Sequence, residues 1–309
     1  MLFIGRPVLL SFLGLLLYSM AAVTAVAQGL YFIDAHSQID NTTNLEAVLS
    51  LMDKAGVQYT ILSAVAGRSS HEIVAFSGQH PDRIIPAVRM KRRSYDDNGA
   101  NYYGELRAEM ESGNFKAMSE VMMYHAQKGN RYPEIIVYPD DDRVQAALHY
   151  ALEQGWPFVV HIEFASPSIR NRGKFMAQFE AMLDKYPEHP FAVAHMGQLN
   201  ASEVRRLIQI HSNVYFLTSR ANPVTANTGR QPWVNMFRGD VLSREWRELA
   251  IQYPDRFILS FDNVLPEHWG NFFLEEARYW RSALSDLPDA VAKAIAHGNA
   301  ERLWKIPPR

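Results

Sequence analysis

Cysteine is absent from the whole chain. That excludes disulfides, thiolate catalysis, cysteine-ligated zinc and a lipid-anchor cysteine. Long runs of one charge are missing as well. The 31 Lys+Arg and 33 Asp+Glu leave a formal net charge of -2, and nothing in their distribution supports nucleic-acid binding or a polybasic membrane contact. No low-complexity linker divides the sequence, which reads as one domain over residues 28–309. The glycine-rich phosphate turn of a dinucleotide-binding sheet is also lacking. The turn after the first strand reads Asp34-Ala35-His36-Ser37-Gln38, with no glycine for a pyrophosphate to approach.

What is present is enough apolar material for a large core, 48% of 309 residues. At the N-terminus, Arg6 precedes an apolar stretch from Pro7 to Met20 and a small-residue segment ending in Ala27-Gln28. A basic start, an apolar centre and a small-x-small site after Ala27 predict a signal peptide over residues 1–27, removed on export to the periplasm or beyond. The alternative is an uncleaved anchor, since Pro7–Ala27 approaches the ~20 residues needed to span a bilayer. The first strand begins near Leu30, however, which leaves no tether between bilayer and domain.

Beyond that point, apolar β-rich runs alternate with amphipathic segments. Strands are expected at Tyr31–Asp34, Val57–Leu62, Ile84–Arg89, Phe115–Glu120, Phe158–Glu163, Phe191–His195, Val214–Leu217 and Phe257–Asp262. Their continuous apolar character suits parallel strands covered on both faces. Between them lie helix signals. Thr43 and Glu46 form a capping box before Leu45, Val48, Leu49 and Met52, with a stop at Gly56. Asp142 caps a helix that ends at Gly155, Phe175, Phe179, Met182 and Tyr186 form a stripe, and Asn200 with Glu203 opens another helix. About eight strand–helix units in this length predict an α/β fold, a single (β/α)8 TIM barrel, with a doubly wound open sheet as the alternative. Long connections at Met122–Pro139 and Asn222–Asp240 are expected to line a site. The second carries Pro223, Asn227, Gly229, Arg230 and Trp233.

In such barrels the chemistry sits at the C-terminal ends of the strands. The residues expected there are His36, Arg89, Glu120, His161, Glu163, His195 and Asp262. Residues two apart share a face, so His161 joins Val159 and Glu163, and Asp262 joins Ile258 and Ser260. One such histidine alone reads as an ordinary hydrogen-bonded group. Three histidines and two carboxylates at matching strand ends read as ligands of a divalent ion such as zinc. His71, His80, His149, His189, His211 and His297 fall on helices or outer loops, while His125 and His268 lie on loops of the catalytic face.

The motifs then take on a family character. Asp34-Ala35-His36-Ser37-Gln38 resembles the first-strand Asp-x-His-x-His motif of the amidohydrolase superfamily. Val160-His161-Ile162-Glu163 and Ala194-His195-Met196-Gly197 resemble its fifth- and sixth-strand metal histidines, and Ser260-Phe261-Asp262 its eighth-strand Ser-x-Asp. Phe115 to Val121 and the tail Gly298-Asn299-Ala300-Glu301-Arg302-Leu303-Trp304 are similar to signatures of the amidohydrolase-related branch. The likeness runs from about Phe32 to Ile306. It implies a metal-activated water that attacks a small ester, amide or lactone. His161, His195 and Glu120 are implied as metal ligands. Asp262 is implied as general base or further ligand, and His36 as further ligand or electrophile. Arg89 and Arg220 would bind a substrate carboxylate, polarise a carbonyl, or form a rim salt bridge.

Gln38 departs from the motif, because an amide replaces the second first-strand histidine. This favours one ion, held on Glu120, His161 and His195. Four functions follow as alternatives. They are a metal-dependent hydrolase, a non-oxidative decarboxylase of a small carboxylic acid, a metal-independent lactonase, and a catalytically silent extracytoplasmic binding protein.

Overall fold

Apolar runs too uniform for a half-exposed sheet become parallel strands enclosed between a barrel interior and a ring of helices. The computed structural model describes residues 30–129, 133–166, 168–228 and 231–309. The leader expected over residues 1–27, together with Gly229 and Arg230, lies outside the described residues. The N-terminal half runs β1 (Phe32–Ile39), α1 (Leu45–Ala55), β2 (Val57–Ala64), α2 (Ser70–Gln79), β3 (Ile84–Val88), α3 (Asn101–Glu111), β4 (Ala117–Met118) and β5 (Val121–His125). It continues with α4 (Asp142–Gln154), β6 (Phe158–Ile162), α5 (Arg172–Lys185), β7 (Phe191–Val193) and α6 (Ala201–Ile210). The chain finishes with β8 (Val214–Leu217), α7 (Arg244–Gln252), β9 (Phe257–Ile258) and α8 (Asn271–Ser285) before a C-terminal helical segment.

Strands β1 to β4 pair in order, and β5 to β9 pair in order, all parallel. The two arcs join through Ser119 and Glu120, which link β4 directly to β5. On the other side the seam is closed by backbone bonds: Ala35 N–H to Leu259 O at 3.0 Å, Asp262 N–H to His36 O at 2.8 Å and Gln38 N–H to Asn263 O at 2.6 Å. Side chains add to it. Phe261 N–H donates to Asp34 Oδ1 at 3.0 Å, and Asn263 N–H to Ser37 Oγ at 3.0 Å. Asp34 of the first-strand motif is therefore a clamp between the first and last strands. No helix among the described residues is long and apolar enough to cross a membrane.

Two apolar layers follow from the alternation of strand side chains. Ile33, Ala35, Ile61, Ala87, Val159, Ala192, Leu217 and Ile258 fill the barrel interior, which Leu303, Trp304 and Ile306 of the C-terminal segment plug. Phe32, Val121, Val160, Phe191, Val193 and Phe216 face outward onto helix residues such as Met52, Leu148 and Phe179.

Several local expectations shift. The first strand runs on to Ile39, so His36 lies within it rather than after it. The expected fourth strand is split at Ser119–Glu120, and the segment expected as a long loop from Met122 begins as strand β5. Regular pairing of the last strand stops at Ile258. The first helix is capped by Asn44, whose side chain accepts from Glu46 N–H, while Thr43 Oγ1 donates to Asp40. Asp141, not Asp142, caps α4, because its carboxylate accepts from Arg143 N–H. The Asn200–Glu203 capping box forms as expected. The Asn222–Asp240 excursion holds a short helix, Pro223–Thr228, and its end pairs Phe237–Arg238 with Val241–Leu242.

Candidate metal centre

Alternation alone would aim only some of the polar strand-end residues into the barrel mouth. His161 continues the inward face of Val159, and Asp262 that of Ile258. The others are redirected by backbone irregularities. On β1 the pairing slips between Asp34, opposite Thr60, and Ser37, opposite Leu62. This one-residue bulge changes the inward set from Ile33 and Ala35 to His36 and Gln38. The break between β4 and β5 turns Glu120 inward. After β7 the chain makes a left-handed turn in which His195, Met196, Gly197 and Gln198 have φ of 54°, 56°, 62° and 56°. Arg220 and Asp262, with φ of 61° and 57°, end their strands in the same region. Left-handed backbone costs roughly 1–2 kcal/mol per non-glycine residue, and strain of this kind concentrates at functional sites.

Glu120 is the hub, fully buried. Its Oε2 lies 2.8 Å from His161 Nδ1 and 3.5 Å from both His36 Nε2 and His195 Nε2. Its Oε1 lies 2.5 Å from Lys91 Nζ and accepts from Gln38 Nε2 at 3.2 Å. Asp262 completes the group. Its Oδ1 is 3.4 Å from His36 Nε2 and accepts from Gln38 Nε2 at 3.1 Å. Its Oδ2 is 3.7 Å from His195 Nε2 and accepts from Arg220 Nε at 3.2 Å.

The second ring nitrogens are also engaged. Ser219 Oγ lies 2.9 Å from His195 Nδ1 and accepts from His195 N–H at 3.2 Å, which fixes the ring with Nε2 toward the carboxylates. His161 Nε2 meets Glu163 Oε1 at 3.2 Å, and Glu163 in turn takes Lys128 Nζ at 2.8 Å. Trp233, from the long excursion, packs its ring 5.1 Å from that of His195, with Lys128 Nζ 4.8 Å above it. The two long connections therefore meet over the site.

The electrostatics follow from burial and pairing. Burial alone would raise the Glu120 and Asp262 pKa values, but Lys91 with the imidazoles, and Arg220 with His36, hold both well below the usual carboxylate range. Burial disfavours the His36 imidazolium, yet the two carboxylates outweigh it and push its pKa up to about 9. His195 is pushed down to about 4 by burial, so it stays neutral at pH 7.

These donors suit a divalent cation. The contacts of His36 Nε2 and His195 Nε2 with Glu120 Oε2 both measure 3.5 Å. They are too long for good hydrogen bonds. A tetrahedral set with bonds of about 2.1 Å places neighbouring donors about 3.4 Å apart. His36 Nε2 is buried without a hydrogen-bond partner, as an atom facing a cation would be. Ligand atoms of Glu120, His161 and His195, and separately of His36, Glu120 and Asp262, lie within 4.8 Å of one another.

Of the expected site residues, the structure brings together His36, Glu120, His161, His195 and Asp262, with Arg220 on Asp262. Arg89 is not among them, because its guanidinium donates to the Lys91 and Arg68 carbonyls at 2.9 and 3.3 Å. Lys91, two residues on, reaches Glu120 instead. That lysine, Ser219 and Lys128 carried no motif and were missed. Their one sequence signal is a polar residue just past a strand end. His268 Nδ1 accepts from Val264 and Leu265 N–H and sits 3.3 Å from Arg220, while the His125 ring lies 5.4 Å from that of His161.

A family model described as amidohydrolase matches residues 27–306. No curated protein matches the chain. Among solved structures, a dihydroorotase from Saccharomyces cerevisiae in complex with 5-fluoroorotic acid superposes with a TM-score of 0.56 at 10% identity, over 90% of this chain and 85% of that one. A probable 2-pyrone-4,6-dicarboxylic acid hydrolase from Acinetobacter baumannii with citric acid bound gives 0.55 at 12% identity, over 89% and 99%. An amidohydrolase from Burkholderia multivorans with bound zinc gives 0.50 at 13% identity, over 90% and 100%. At such identities the likeness carries the fold, and the family match carries the rest. The chain belongs to the amidohydrolase family, and it is a TIM-barrel hydrolase of that metal-dependent group.

Proposed function

We propose that this protein hydrolyses a small ester, amide or lactone with one divalent ion, zinc by donor chemistry, and that it works outside the cytoplasm after loss of residues 1–27. The observation that carries the first part is the convergence of His36, His161 and His195 on Glu120 Oε2 at 2.8–3.5 Å, with Asp262 3.4 and 3.7 Å from two of those rings. Export rests on the N-terminal sequence alone.

In this reading Glu120 and His195 would hold the ion, with His36 and His161 completing the donor set. When bound, such an ion polarises a carbonyl and lowers the pKa of a water to about 7. The protein's own groups do the remaining work. Asp262 is ionised and stands at the edge of the donor set, where it accepts a proton. Arg220 fixes the face it presents. Ser219 keeps His195 oriented, as outer partners of metal-bound histidines do, and burial keeps its ring neutral. Trp233 and Lys128 stand over the His195 side of the site.

Metal content is the direct test. Protein purified without chelator is expected to carry close to one equivalent, and His195→Ala to carry almost none. Less than about a tenth of an equivalent in the parent, with none regained on adding zinc, would remove the metalloenzyme reading. A panel of esters, amides, lactones and aromatic carboxylic acids then decides the reaction. Release of carbon dioxide from the acids, with the other classes untouched, would replace hydrolysis by decarboxylation. A metal-loaded protein inert to every class would leave a binding protein.

A further inference from the structure

We infer that Lys91 is a built-in counter-cation of the metal centre, occupying the face of Glu120 where a second ion would sit and weakening the hold on the first. The inference rests on the metal reading above and adds a role for a residue that no motif marks.

The two oxygens of Glu120 have different surroundings. Oε2 faces three imidazoles, at 2.8, 3.5 and 3.5 Å. Oε1 has other partners. It is taken by the Lys91 ammonium at 2.5 Å and the Gln38 amide at 3.2 Å. Gln38 stands where the first-strand motif places a second ligand, and its Nε2 also donates to Asp262 Oδ1 at 3.1 Å. An amide N–H has no lone pair for a cation, so toward the two carboxylates Gln38 presents a donor and not a metal ligand, while its neutral Oε1 is buried without a hydrogen-bond partner. Lys91 supplies the charge that a second ion would otherwise bring, on a side chain only 23% exposed.

A count of formal charge gives the consequence. Glu120 and Asp262 contribute two negative charges, while Lys91 and Arg220, each in contact with one of them, contribute two positive. Lys91 and Arg220 alone match the two carboxylates, before the imidazoles are counted. Removing Lys91 takes one positive charge away from within a few ångströms of the ion. The loss of Coulomb repulsion at that distance, even with strong screening, strengthens binding by at least about tenfold.

The test uses zinc alone, with affinity from chelator competition and stoichiometry from elemental analysis. The full-length chain is compared with K91M, K91R, K91Q and the double variant Q38H/K91M, each checked for folding by thermal unfolding. Parent and K91R are expected to hold one equivalent with similar affinity. K91M is expected to bind at least about tenfold tighter, and Q38H/K91M to take up a second equivalent. K91Q removes the charge while leaving a polar side chain, so it serves the same comparison should K91M not fold. Equal or weaker zinc binding in the neutral variants overturns the inference while leaving the metal centre intact. A parent chain that takes up no zinc overturns the metal reading and this inference with it.

Discussion

At Asp262 the carboxylate is held from several sides, by Arg220, Gln38 and His36, and its own N–H donates to His36 O. Its orientation is thus set before any substrate enters. Arg220 keeps it ionised, which a proton acceptor requires. Asp262→Asn preserves size and leaves Glu120, His161 and His195 untouched. Zinc content is expected to stay near the parent value while kcat falls at least about 100-fold, the usual scale for loss of a general base. Parent-like turnover in this variant would show that the proton goes elsewhere. At this scale the sequence was a good guide where residue type and alternation sufficed. His161 and Asp262 point inward because residues two before them do. Arg89 was misplaced because a strand end has two sides, and the turn that follows it sends Lys91, not Arg89, to the site.

Among the elements, the irregular ones build the centre. A bulge on β1, the gap between β4 and β5, and the left-handed turn after β7 deliver His36, Glu120 and His195. None of these is legible in hydrophobic periodicity. Periodicity reports regular strands, and these residues work by leaving them. The helices, the strand order and the parallel character followed from apolar pattern and caps, with shifts of one residue at Asn44 and Asp141. The turn after β7 is the most exacting of the three. A Cβ on Gly197 would meet Val193 Cγ1 at 3.1 Å and Phe164 Cδ2 at 3.3 Å, at a φ of +62°. Gly197→Ala is therefore expected to cost about 1–3 kcal/mol in urea unfolding. It should also weaken zinc binding through displacement of His195. Parent-like stability and affinity would mean that the turn adjusts freely.

For the whole molecule, two buried carboxyls make stability depend on pH in an unusual direction. Burial pushes Glu276 from 4.5 to about 7 and Asp34 from 3.8 to about 7. A carboxyl whose folded pKa lies above its unfolded value binds its proton more tightly in the native state. Its contribution is full below about pH 4 and is lost as pH rises through about 7. Glu276 Oε1 accepts from Asn222 Nδ2 at 2.7 Å and Thr225 Oγ1 at 3.3 Å, while Oε2 is buried without a partner. Glu276→Gln keeps the accepting oxygen and removes the titration. The variant is expected to be more stable than the parent at pH 8, on the order of 1–3 kcal/mol, and to flatten the decline between pH 5 and pH 8. Denaturant melts across that range decide it, and identical pH profiles would remove Glu276 as a source.

The seam between the first and last strands carries a consequence for how the chain comes to function. Its clamp joins residues 227 positions apart, Phe261 to Asp34. Contacts of such separation carry a large loop-closure cost and form late. His36 sits on one lip of the seam and Asp262 on the other. A chain still being synthesised has every histidine of the centre in hand well before Asp262 emerges, yet the pocket those histidines share with Asp262 cannot assemble. Asp262 therefore joins the centre only when the ring closes.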